Sequence, residues 1–107
     1  MRLTADEITK LNTSADSLVK TFARNLAFMR RRYGYSQEYV SSIALIPRNR
    51  YSSIEKGTTM PDLHTVCIYA EFYKIGLANF ITMDLEEECD KIYRSGNGNY
   101  RNNRTKY

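Results

Sequence analysis

Residues 36–57, SQEYVSSIALIPRNRYSSIEKG, constrain this chain more than any other stretch. Two short helical patterns sit there: 37–44, where Val40 and Ile43 recur at i, i+3, and 48–56, where Tyr51 and Ile54 do the same. Only Leu45, Ile46 and Pro47 lie between them. So brief a connection makes the two helices cross steeply. The second then presents Arg48, Asn49, Arg50, Ser52 and Ser53 on the faces its apolar residues leave free. Ser36 is a good N-cap for the first of the pair. Pro47 fits the first position of the second, where its missing N–H is not needed.

Motifs on both sides of this pair carry a resemblance. Gly34-Tyr35-Ser36-Gln37-Glu38, Tyr51, Ile54-Glu55-Lys56-Gly57, and Pro61-Asp62-Leu63 with Val66, Cys67 and Ala70 stand at mutual spacings similar to those of phage-repressor-like (Xre/Cro-type) helix-turn-helix DNA-binding domains. The resemblance spans 30–81, about half the chain. Departures are Pro47, where a capping Ser or Thr is usual, Ser41 near a small Ala, and Lys74, where a Gly normally closes the fourth helix. The resemblance implies an all-α, compact five-to-six-helix bundle of lambda-repressor-like type, whose third helix enters the major groove of double-stranded DNA. It implies that Arg30 forms a structural ion pair with Glu55 and that Gln37 grips the DNA backbone. It also implies a dimer contact built by the fifth helix and its neighbour, with Leu77, Phe80, Ile81, Leu85, Cys89 and Ile92 as candidates.

The chemistry of the exposed residues runs the same way. An Arg matches the O6/N7 acceptors of guanine and an Asn the N6/N7 pair of adenine, so Arg48 and Asn49 are candidate base contacts. Either can instead hold a phosphate, which adds affinity without sequence information. Ser53, one turn after Asn49, and Ser52 join the base-contact set. Phosphate candidates are Gln37, at a helix start that favours anions, together with Arg50, Lys56, Arg31, Arg32, Thr58 and Thr59. For Arg31 and Arg32 the competing explanation is that cations in a last turn oppose the helix dipole; for the threonines it is ordinary loop polarity. Tyr51 takes the place of a core aliphatic, its ring expected to be buried and its hydroxyl to reach an edge.

Composition bounds the rest. A chain of 107 residues supports one domain and one core. No apolar run approaches the roughly 20 residues of a membrane helix, and the polar N-terminus shows no signal peptide, so a cytoplasmic protein is expected. Cys67 and Cys89 lack C-x-x-C spacing, and a single histidine, His64, accompanies them. Free thiols, no metal, no cofactor and no catalytic constellation are the reading. The net charge of +4 is segregated. Between Lys20 and Lys56 eight bases meet two acids, whereas five of the seven residues 84–90 are acidic. A basic surface around the helix pair fits a polyanionic partner.

In chain order, Thr4-Ala5-Asp6-Glu7 has capping-box spacing, and 1–15 reads as an N-terminal extension, a short helix broken at Asn12-Thr13-Ser14 or a frayed segment. Residues 16–82 form the DNA-binding domain. Its first helix carries the stripe Leu18, Phe22, Leu26, Met29 and Tyr33 and stops at Gly34; its fourth, capped by Asp62, carries Leu63, Val66, Cys67 and Ala70. Residues 83–94 read as a C-terminal helix available for dimerisation. The tail 95–107 reads as disordered and basic, with Tyr100, Arg101, Arg104, Lys106 and Tyr107. The expected activity is that of a transcriptional regulator, a repressor acting as a homodimer on a palindromic site. Rival readings are a module for a protein partner (toxin, polymerase or sigma subunit), supported by the acidic stretch, and RNA binding through the tail.

Overall fold

The computed structural model describes residues 2–94, and the tail expected to be disordered lies outside them. Its elements are α1 (Ala5–Tyr33), α2 (Gln37–Ile43), α3 (Arg48–Lys56), α4 (Leu63–Tyr73), α5 (Leu77–Thr82) and α6 (Leu85–Arg94), with no strand among the described residues.

A capping box starts α1. The Thr4 hydroxyl accepts from the Glu7 amide at 3.2 Å, and the Thr4 amide donates to the Glu7 carboxylate at 2.7 Å. The break expected at Asn12-Thr13-Ser14 is absent: the helix runs on without interruption for 29 residues. Three residues of middling helix propensity cost only tenths of a kcal/mol each, and extending a helix already nucleated costs far less than starting another. The Thr13 hydroxyl bonds back to the Thr9 carbonyl at 3.0 Å, so it does not compete for the ladder. Gly34 then closes the helix at φ 74°, the left-handed conformation that favours glycine.

The core lies where the C-terminal half of α1 meets the other helices. Phe22, Leu26, Met29, Val40, Tyr51, Ile54, Tyr69, Tyr73, Phe80 and Leu85 form one buried cluster. Phe22 and Phe80 pack with ring centroids 5.1 Å apart. The stripe on α1 does not reach back to Leu18, which is 40% exposed.

On α4 the buried set is Thr65, Val66, Tyr69, Ala70 and Tyr73. Leu63 is exposed and Cys67 half-buried, against expectation. The helix is apolar on nearly every side, so spacing alone does not fix which side turns inward. Tyr69 decides it: its ring is fully buried, and its hydroxyl donates to the Val40 carbonyl at 2.7 Å, tying α4 to α2.

One buried polar side chain organises the far end. Asn25, 1% exposed, donates through Nδ2 to the carbonyls of Phe80 at 2.7 Å and Met83 at 2.8 Å, and accepts through Oδ1 from the Leu85 amide at 3.2 Å. Backbone groups left over where α5 stops and α6 starts are thereby satisfied by one residue of α1.

Candidate nucleic-acid interface

The outward face of α3 follows from what its inward face holds. Tyr51 and Ile54 are buried, which at 100° per residue turns Asn49, Ser53 and Lys56 outward as a stripe at i, i+4, i+7. Arg48 and Arg50 flank this stripe at the exposed N-terminal turn, while Ser52 and Ser53 are both half-buried. Pro47 is the N-cap and not the first helical residue, with φ −63° and ψ 148°. Its ring sets the same φ in either role, so the sequence leaves the two positions indistinguishable.

Proline has no side-chain acceptor for the first amides of α3. Asn49 supplies one: its Oδ1 accepts from the Arg50 amide at 2.9 Å. A second lone pair on that oxygen and both Nδ2 protons leave it capacity for a base edge. The Ser53 hydroxyl bonds back to the Asn49 carbonyl at 3.2 Å. In the turn ahead of α3, Leu45 stands 91% exposed with φ 57°, a conformation that costs a side-chain-bearing residue energy.

Beneath α3, a polar junction fixes it to α1 and α2. Arg30 Nε and Glu55 lie 2.6 Å apart, and Arg30 Nη2 donates to the other carboxylate oxygen at 3.2 Å. Gln37 Nε2 donates to one Glu55 oxygen at 3.1 Å, and the Tyr51 hydroxyl donates to the other. Arg30 Nη1 also donates to the Tyr35 carbonyl at 3.0 Å. The Glu55 side chain is 6% exposed. Burial pushes its pKa up, but hydrogen bonds from Arg30, Tyr51 and Gln37 outweigh this and hold it below the ordinary glutamate value. For Tyr51, burial and then the bond to Glu55 push the phenol far above its usual range, keeping it a donor. The Tyr51 hydroxyl thus reaches a carboxylate inside the junction, where the sequence suggested an edge.

The phosphate candidates divide. Arg50 and Lys56 are exposed on α3, and Arg31 is exposed at the end of α1. Arg50 also helps lower the Asp62 pKa, after the larger effect of the Thr65 bonds. Arg32 lies about 200° around α1 from Arg30, on the side of α6, where burial pushes the Cys89 thiol up and the Arg32 charge offsets part of that rise. It faces away from the α3 junction. The amides of Thr58 and Thr59 both donate to the Ser53 carbonyl, at 3.0 and 3.3 Å, and the Thr58 hydroxyl joins them at 3.2 Å. They close the end of α3, so neither amide, nor the proton of the Thr58 hydroxyl, is open to the phosphate expected at these two threonines.

Of the dimer candidates, Phe80 and Leu85 are buried in the core of a single chain, so they are not on offer to a second one. Leu77 is 38% exposed, while Ile81 and Cys89 are half-buried. The side chain of Ile92 lies outside those described. The residues that spacing did not flag are Asn25 and Tyr69. For Asn25 a signal existed, an amide standing between Phe22 and Met29 on an apolar stripe.

Two helices crossing at a short turn, the second laid open along a polar stripe, define a helix-turn-helix module, the kind of domain from which DNA-binding regulators are built. A family model described as the helix-turn-helix domain matches residues 23–82. The chain belongs to that family. No curated protein and no solved structure matches it. Among the described residues, no helix is long and apolar enough to cross a membrane.

Proposed function

We propose that this chain is a sequence-specific double-stranded DNA-binding transcriptional regulator of the phage-repressor-like kind, acting as a homodimer on a palindromic operator and repressing by covering a promoter. The observation that carries this reading is the α3 stripe of Asn49, Ser53 and Lys56, flanked by Arg48 and Arg50 and clamped from behind by Glu55. Asn49 and Arg48 read base edges, with Ser52 and Ser53 beside them. Arg50, Lys56 and Arg31 neutralise phosphates. Gln37, held by Glu55 at the start of α2, meets the backbone on the other side of the groove. One recognition helix covers too few base pairs for a unique site, so two copies engage half-sites roughly 34 Å apart.

Selection of bound fragments from random duplex DNA tests the whole reading. Two inverted half-sites are the expected outcome, and Arg48→Ala with Asn49→Ala abolishes the selection while the fold is kept. Enrichment of no sequence, or selection unaffected by the double substitution, refutes it.

A further inference from the structure

Every residue from Arg2 to Leu18 is exposed, although 5–18 belong to one unbroken helix. This arm of about 21 Å stands off the body, none of its side chains buried against it. It precedes the segment 23–82 that matches the helix-turn-helix family. It is not polar all round: Ile8, Leu11, Ala15 and Leu18 recur at spacings of three, four and three, the seam of a coiled coil. At its root lies an apolar groove of about 260 Å³ lined by Leu18, Val19, Met60, Leu63, Leu77 and Ile81 among others.

We propose that this arm and groove are the docking surface for a second copy of the chain, the two arms lying antiparallel. In that arrangement a and d positions face each other, Ile8 beside Leu18 of the second copy and Leu11 beside its Ala15, and the tip of each arm fills the groove at the root of the other. The ends of the arm complement each other in charge. Asp6 and Glu7 stand near the tip and Lys20 at the root, so antiparallel pairing in this register brings Asp6 opposite Lys20 of the second copy, where parallel pairing would set like charges side by side.

Area supports the same occupant. Ile8, Leu11, Leu18, Met60, Leu63 and Leu77 are between 38% and 70% exposed. Together they offer on the order of 600 Å² of side-chain surface, most of the roughly 800 Å² per partner that a stable interface buries. Other claimants fit less well. The chain's own residues 95–107 contain no Leu, Ile, Val, Met or Phe with which to fill a groove. DNA is no match for an arm whose three bases, Arg2, Lys10 and Lys20, are balanced by Asp6, Glu7 and Asp16.

The inference deepens the reading above, on which its purpose rests: it names the contact that joins two recognition helices. Sedimentation of the full chain at 10–100 μM, concentrations of about the usual range for weak dimers, is expected to give twice the 12.5 kDa of one chain. Leu11→Asp, at an exposed site, is expected to raise the dimer dissociation constant on the order of 100-fold with helical content retained. Asp6→Lys weakens the dimer, and Asp6→Lys combined with Lys20→Asp restores it. A wild-type monomer, a dimer indifferent to Leu11→Asp, or a double charge swap that fails to recover overturns the proposal. A dimer sensitive to Leu11→Asp that selects no DNA overturns the operator reading and leaves this one standing. A dimer that reads an operator yet ignores Leu11→Asp does the reverse.

Discussion

Gln37 donates to Glu55 at 3.1 Å, on a carboxylate that Arg30 and Tyr51 also hold. The side chain expected to touch a phosphate is therefore aimed by the same group that fixes the recognition helix to α1. Orientation and packing share one residue.

Glu55 makes stability depend on acid in a definite direction. Its folded pKa lies below the ordinary 4.5, so the stabilisation it brings is fully present above that value and is lost as pH falls through the folded value. Urea midpoints measured between pH 7 and pH 3 should fall most steeply below about pH 4.5. In Glu55→Gln that acid limb should flatten. Glu55→Ala should cost about 3 kcal/mol at pH 7, because it strands the Arg30 charge in a nearly closed site.

Asn25→Ala should be more damaging than its size implies. The substitution strips partners from the Phe80 and Met83 carbonyls and the Leu85 amide at once, at a cost of about 2–4 kcal/mol. Asn25→Asp should cost at least as much, since a carboxylate would face two carbonyl oxygens. Chemical denaturation of the purified variants checks both.

Two positions should gain stability from glycine. Leu45 and Lys74 sit at φ 57° and 58°, and each should be stabilised by about 0.5–1 kcal/mol on substitution by Gly, the relief of the left-handed conformation exceeding the entropy lost. Leu45→Gly and Lys74→Gly stand in different turns and should add. Thermal midpoints that fall in either variant would contradict the strain argument.

DNA affinity should be strongly salt-dependent. With Arg50, Lys56 and Arg31 neutralising about three phosphates per protomer, and so about six per dimer, the dissociation constant should rise on the order of 1,000-fold between 50 and 200 mM salt. Arg50→Ala and Lys56→Ala, each removing one contact from both protomers, should each lower the log–log slope by about two and weaken all sequences alike, whereas Asn49→Ala should relax the preference at one base pair of each half-site by about 1–3 kcal/mol. Titrations against specific and scrambled duplexes separate the two effects.

Much of the fold was legible because local chemistry marks the helix ends: Thr4 and Glu7, Ser36 and Asp62 at starts, Gly34 and Gly57 at stops. What spacing could not give was phase and reach. On α4, apolar residues on almost every side left the inward direction to Tyr69, whose hydroxyl needed an acceptor on a different helix. Asn12-Thr13-Ser14 resembled a break because propensity is read locally, while continuity with a packed helix is not. The charges of Arg30, Arg31 and Arg32 look alike in the sequence. Rotation about the helix axis gives one to the Glu55 junction, one to solvent and one to the neighbourhood of α6.

Asn25 also bears on how this protein can be cut. The family match stops at residue 82, yet two of the three groups that Asn25 serves belong to Met83 and Leu85. A fragment excised at the family boundary would keep every residue of the reading head and still leave a thirsty amide in its interior. The smallest autonomous unit is therefore longer than the recognisable one, and its C-terminal border belongs beyond the start of α6.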